Sequence, residues 1–215
     1  MAEKPILFSG PMVRAIMSGR KNVTRRLMNP QPPVDAETCH HNSYSGPDGP
    51  AWWWFKGTSN GEQLQCWPEP GKVVESRHRK GDICYVKEAW RADNVYDDEP
   101  PREIPKYADI EYLATDVPYF IGRYRNARFM CRWMSRLWLR VTEDPYPERV
   151  RDITEAEAKR EGVQLPPVMH ADTPQWVWSY VEHFKLRWAE IYGPDSWERD
   201  WVWRYAFERM EAPDA

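Results

Sequence analysis

Near the C-terminus Trp201, Trp203, Tyr205 and Phe207 alternate with Val202, Arg204 and Ala206. A period of two belongs to an extended strand, because successive side chains leave opposite faces of a sheet. The pattern predicts a strand with one apolar face that breaks at Glu208-Arg209. Leu137-Trp138-Leu139-Arg140-Val141-Thr142 predicts a central strand, stopped by Pro145-Tyr146-Pro147. Shorter strands are expected at Ile6-Leu7-Phe8, at Ile83-Cys84-Tyr85-Val86 and at Ile110-Glu111-Tyr112-Leu113.

Helical spacing interrupts these strands. Ser9-Gly10-Pro11 offers a turn and a helix start, Met12, Val13, Ile16 and Met17 repeat at helical intervals, and Gly19 terminates the segment. Thr154 followed by Glu157 reads as a capping box before a short helix that Gly162 ends. A longer helix is expected from Gln175 to Ile191, with Val177, Val181, Phe184, Trp188 and Ile191 as its packed stripe and Gly193-Pro194 as its stop. This mixture predicts an α+β fold. With 215 residues the chain is expected to form one domain, interrupted by a Pro- and Gly-rich insertion over 31–80 and an acidic extended insertion over 91–120. Within the first insertion, Ala51-Trp52-Trp53-Trp54-Phe55 reads as a strand or as an aromatic arm over the core.

Composition narrows the function classes. Thirteen Trp, 11 Tyr and 6 Phe supply large apolar surfaces, so a wholly disordered chain is excluded. No apolar run approaches the roughly 20 residues that cross a bilayer, so no membrane role is expected. Cys39, Cys66, Cys84 and Cys131 lack close pairing, which predicts reduced thiols and a cytoplasmic protein. Cys39, His40, His41 and Cys66 are metal-capable but poorly spaced, and no metal or cofactor is expected. The formal charge of -3 hides an asymmetry: Met1 to Pro30 carries six basic residues and one acid, whereas Arg91 to Asp116 carries eight acids and three bases. Arg123, Arg125, Arg128, Arg132, Arg136 and Arg140 form a second basic stretch. Phosphate contact fits this distribution better than extensive duplex binding.

The chemistry concentrates in two segments. Ser18-Gly19-Arg20-Lys21-Asn22-Val23-Thr24-Arg25-Arg26 brings an amine, a hydroxyl and three guanidinium groups to a helix-to-strand junction. Gly81-Asp82-Ile83-Cys84-Tyr85-Val86-Lys87-Glu88-Ala89-Trp90 ends an apolar run in an acid. Together they predict a small polar pocket for a nucleobase or nucleotide. Each residue also has an ordinary reading: Lys21 as a surface cation or phosphate contact, Thr24 as a turn hydrogen bond, Trp90 as a core aromatic.

In order along the chain, these two segments resemble the ASCH domain family, as do Ile6 to Ile16, Arg151 to Gly162 and Trp201 to Tyr205. The likeness is greatest to the larger members encoded by phages and prophages. The resemblance implies a PUA-like β-barrel with flanking helices and long loop insertions. Small bacterial members of the family include amidohydrolases that remove the acetyl group from the exocyclic nitrogen of N4-acetylcytidine. Their catalytic Lys, Thr and Glu look like Lys21, Thr24 and Glu88 here. The implied reaction is attack by Thr24 on an acyl carbonyl, with Lys21 taking the hydroxyl proton and Glu88 orienting Lys21 or shuttling a proton. Arg20, Arg25 and Arg26 are expected to bind substrate, because guanidinium donors engage phosphate or base acceptors without proton transfer, and Trp90 to wall the pocket. Other family members are linked to RNA binding or cleavage. The expected partner is therefore a modified nucleoside or nucleotide, with RNA or modified single-stranded nucleic acid as the alternative. A non-catalytic reader of modified bases is the main rival, and a ribonuclease the lesser one.

Overall fold

The computed structural model describes residues 3–33, 36, 38–42, 51–56, 65–67, 74–116, 119, 121–166 and 179–213. It is an α+β protein whose principal sheet is mostly antiparallel. Strand β1 (Glu3–Leu7) pairs in parallel with β6 (Ile83–Lys87), and β6 runs antiparallel to β9 (Trp138–Val141). Next to β9 lies β11 (Trp201–Met210), which also pairs with β10 (Tyr146–Arg149) and β2 (Val23–Leu27). Two small sheets stand apart, one of β3 (Thr38–Asn42), β4 (Ala51–Lys56) and β5 (Gln65–Trp67), the other of β7 (Trp90–Arg91) and β8 (Glu111–Tyr112). The tryptophan run of the first insertion is therefore in a strand. Residues 43–50 of that insertion lie outside the described residues.

Strand β11 organises the sheet. Its register sets Phe207 to Met210 against β9 and Trp201 to Arg204 against β10, so one strand spans two consecutive partners. Pairing with β9 carries it past Glu208-Arg209, where the sequence predicts a break. Trp201 to Phe207 are all buried, so the single apolar face expected from the alternation is also incomplete. Trp201, Trp203 and Tyr205 pack with Met28 and Val74, and Phe207 joins Phe8, Val86 and Leu139. On the opposite face Val202 packs beneath three helices: α2 (Glu155–Arg160), α3 (Tyr180–Tyr192) and α4 (Ser196–Arg199). Covering both faces leaves Arg204 buried, which the pattern alone reads as a solvent position.

The sheet curls until its two ends approach. Among the described residues no backbone ladder joins β1 to β2, and no closed barrel is seen. A side chain spans the gap instead: Arg26 Nη2 donates to the Leu7 carbonyl, and its guanidinium lies 4.8 Å from the Phe8 ring centre.

Helix α1 (Gly10–Met17) ends as expected, with Gly19 at φ +74°. Thr154 caps α2 by accepting from the Glu157 amide at 3.3 Å, but the Glu157 carboxylate turns to arginines and leaves the capping box half made. Helix α3 buries Phe184 and Trp188, whereas Ile191 is exposed at its end. Val177 lies outside the described residues. Among those described, no helix is long and apolar enough to cross a membrane.

Gly162, at φ +86°, lets the end of α2 meet α1: a Cβ there would stand 2.7 Å from the Ala15 Cβ and 3.0 Å from the Lys21 Cβ. Gly81 has the same φ with nothing within 4 Å. Gly81→Ala is expected to cost only the left-handed backbone, about 1–2 kcal/mol. Gly162→Ala adds overpacking, for a total of about 3 kcal/mol. Urea unfolding of the two variants checks the difference, and equal losses would mean that the close approach at Gly162 does not matter.

Candidate functional site

Immediately after α1 the chain reverses at Gly19, and the Lys21 amide donates back to the Ala15 carbonyl at 3.0 Å. This turn directs Lys21 inward, where its side chain has no solvent exposure. Its Nζ donates to the Val23 carbonyl at 2.8 Å, to the Glu161 carbonyl at 3.0 Å and to Glu161 Oε2. An ammonium has three donors, and all three are used. Burial lowers the pKa of the amine, while the adjacent Glu161 opposes that shift.

Arg25 completes the cluster. Its Nη1 reaches Glu161 Oε1 at 3.1 Å, its Nη2 reaches Glu157 at 3.2 Å, and its Nε donates to Glu148. Register places Arg25 directly opposite Arg204 on β11. Two like charges at such a pair repel, and Glu157 relieves the repulsion by accepting from Arg204 Nε at 3.0 Å and Nη2 at 3.1 Å. Burial alone pulls the Arg25 pKa down, but Glu161, Glu148 and Glu157 outweigh it and the net shift is upward. For Glu157, burial raises the pKa and Arg204, Arg25 and Arg160 overcome it, bringing the carboxyl down to about 2.

In front of this network lies a cavity of about 480 Å³. Thr24, Arg25, Arg26 and Glu161 form its polar wall, and Phe8, Phe184, Trp188 and Tyr192 supply aromatic surface. The volume and the apolar lining with a few convergent polar groups are typical of small-molecule sites. A second cavity of about 400 Å³ lies between the β1 and β2 edges, with Arg77, His78, Trp203 and Tyr205 in its wall. Arg26 borders both. His78 is buried and its pKa falls to about 4, through desolvation and then the charges of Arg77 and Lys4. Its Nδ1 lies 3.3 Å from Cys84 Sγ, but burial pushes the Cys84 thiol up to about 12. Cys39 is raised to the same level, so neither offers a thiolate nucleophile near neutrality.

The structure therefore brings together only part of the expected set. Thr24, Arg25 and Arg26 line the first cavity and Lys21 stands behind it. Arg20 is exposed, with Nε donating to Ser18 Oγ at 2.9 Å. Glu88 is buried, and its oxygens accept from Arg136 Nε at 3.0 Å and Nη2 at 3.1 Å. Trp90 is fully buried with Ala92, Ile104, Met130 and Met134, and the Arg125 guanidinium sits 5.3 Å from its ring centre. Of this stretch, the residue in the cavity wall is Ala89, between Glu88 and Trp90. The carboxylate that meets Lys21 is Glu161, which sequence reasoning left as an ordinary helix residue. Its position carried a signal: an acid at the C-terminal end of a helix opposes the helix dipole and calls for a compensating cation. Among the described residues no group of three His, Cys, Asp or Glu side chains is arranged to hold a metal.

No family model matches the chain, and no curated protein does. A crystal structure of an Enterococcus faecalis V583 protein described under the DUF984 family aligns with all of this chain and 85% of its own, at 9% identity and a TM-score of 0.39. A likeness at that level assigns neither fold nor activity to this chain.

Removing the Glu161 charge leaves two buried cations short of a partner. Glu161→Gln is expected to cost about 3–5 kcal/mol, whereas Glu88→Gln, whose partner Arg136 reaches solvent, costs less. Thermal unfolding of both variants at neutral pH checks the order. The depressed pKa of Glu157 makes a second prediction. Above about pH 4.5 its contribution to stability is complete; as pH falls toward 2 the unfolded chain takes up the proton first and stability is lost. Glu157→Gln should flatten the stability-pH curve over that window, as read by denaturant unfolding in a pH series.

Proposed function

We propose that the first cavity binds a pyrimidine nucleoside or nucleotide acylated on its exocyclic nitrogen and hydrolyses the amide. We also propose that the curled sheet is the PUA-like β-barrel of an ASCH domain, with Arg26 bridging its open seam. One observation carries the functional reading: Thr24 and Glu161 both line one aromatic-walled cavity, and Glu161 accepts from Lys21 behind it. Aromatic surface suits a planar base, and the polar wall suits a reacting carbonyl.

In this reading Thr24 Oγ1 attacks the acyl carbon. Its proton passes to the Lys21 amine, and Glu161 takes over the carboxylate role that the family resemblance gives to Glu88. Burial lowers the pKa of the Lys21 amine against the opposing pull of Glu161, which favours the neutral amine that can act as base. The tetrahedral intermediate collapses with cleavage of the C–N bond, and the departing amino-pyrimidine nitrogen receives a proton. Water then cleaves the threonyl ester, releasing the carboxylic acid and restoring the hydroxyl.

A second reading also has an observation in its favour. All three Lys21 donors are already engaged within the protein, which suits a site that binds a modified base without turning it over. Incubation with N4-acylated cytidines, acylated deoxycytidines and short modified RNAs separates the two. Hydrolysis releases one carboxylic acid per base with the strand intact, and Thr24→Ala lowers that release by at least about 10³-fold while binding persists. Specific capture without acid release would replace hydrolysis with base reading, and shortened RNA would replace both with a nuclease.

A further inference from the structure

The cations around the first cavity fall into two groups. Lys21 and Arg25 are saturated: Glu161 neutralises both from one side, and Glu157 and Glu148 complete the shell of Arg25. Arg26 and Arg187 are different. Both border the cavity, and among the described residues neither has a carboxylate partner. Arg26 donates to the Leu7 carbonyl and lies against the Tyr192 hydroxyl, while its Nε is shielded from solvent with no acceptor among the described residues. Among the described residues Glu161 is the sole acid in the wall, and its two oxygens already serve Lys21 and Arg25.

A shielded guanidinium donor without an acceptor is costly to maintain, because burial removes water and nothing replaces it. An anion entering the cavity that Arg26 borders would bring a counter-charge to that guanidinium. A second guanidinium, Arg187 on α3, is exposed and borders the same cavity, where it adds positive charge. Guanidinium groups match the oxygens of a phosphate in spacing and direction. The aromatic rings of Phe184, Trp188 and Tyr192 occupy the same helix as Arg187, so base surface and a phosphate contact line one cavity from one element.

We infer that the cavity carries an anion subsite, formed by Arg26 and Arg187, that selects a nucleoside 5′-monophosphate over the corresponding free nucleoside. This deepens the proposed function by naming the form of its substrate, and its ligand-binding test stands apart from catalysis.

The experiment measures binding of cytidine and cytidine 5′-monophosphate by titration calorimetry, and acid release from the N4-acetylated forms of both. The subsite predicts that the monophosphate binds about ten- to a hundredfold more tightly than the nucleoside, the range of one or two charge-assisted hydrogen bonds. Arg187→Gln should bring that ratio down to a few-fold, and Arg26→Gln should do the same, while Arg102→Gln, remote in sequence and largely exposed, should leave it as it was. Inorganic phosphate should compete with the monophosphate and not with cytidine. A ratio near one in the parent protein, or an undiminished ratio in both cavity variants, overturns the subsite even if acetate is released. Phosphate selectivity with no acetate release sustains the subsite and sinks hydrolysis. Tighter capture of a short acetylated oligonucleotide than of the monophosphate would transfer the selectivity from a free nucleotide to a nucleic-acid strand.

Discussion

A carboxylate shared between two buried cations is the constraint on which the rest of the molecule depends. Lys21, Arg25 and Glu161 have side chains that are almost wholly withdrawn from water. Ions in such surroundings are tolerated only when their donors and acceptors are satisfied together. That requirement fixes the distance between the turn after α1 and the end of α2, segments 140 residues apart in sequence. Neither helix is long enough to hold that position by itself. Gly162 makes the approach sterically feasible, and the pairing of β2 with β11 delivers Arg25 to the third corner.

The same pairing explains why β11 departs from simple alternation. Its odd-numbered aromatic residues build the inner core, as a period of two demands. Its even-numbered face would ordinarily meet water, but α2, α3 and α4 cover it, and Arg204 survives there because Glu157 and Glu143 receive its donors. A buried arginine opposite another buried arginine is a local conflict that only a tertiary partner resolves. The carboxylate that resolves it comes from α2, and Glu161 is the residue that caps the C-terminus of the same helix. One short helix thus satisfies the strand pair and positions the anion behind the cavity.

Much of the frame was legible in the sequence because it rests on local periodicity and backbone punctuation. Ile83 to Val86, Trp138 to Val141 and Trp201 to Phe207 are strands, and Gly19, Gly162 and Gly193 adopt the positive φ that ends or reverses a segment. The basic segment was legible as a pocket wall in Thr24, Arg25 and Arg26. What escaped were pairings across long sequence separations. Glu88 looked like the acid for Lys21 because it follows an apolar strand, yet Arg136 holds it, and the short run from Glu88 to Trp90 offers the cavity only Ala89. Glu161 looked like a helix terminus. Which acid meets which base is decided by sheet register and helix docking, and neither is written in a nearest-neighbour pattern.

Separating saturated from unsaturated cations gives the cavity a physical division of labour. A positive wall whose every guanidinium sought an acceptor would either recruit nearby acids and close, or repel itself apart. Here the acids of α2 and β10 absorb Lys21, Arg25 and Arg204, so the wall is rigid before any ligand arrives. Rigidity of that kind reduces the ordering cost of binding. The uncompensated charge is then confined to Arg26, at the seam of the sheet, and Arg187, on the covering helix. An anion bridging the two would tie α3 to the β1–β2 edge, strengthening a junction that, among the described residues, is made by a side chain and no backbone ladder.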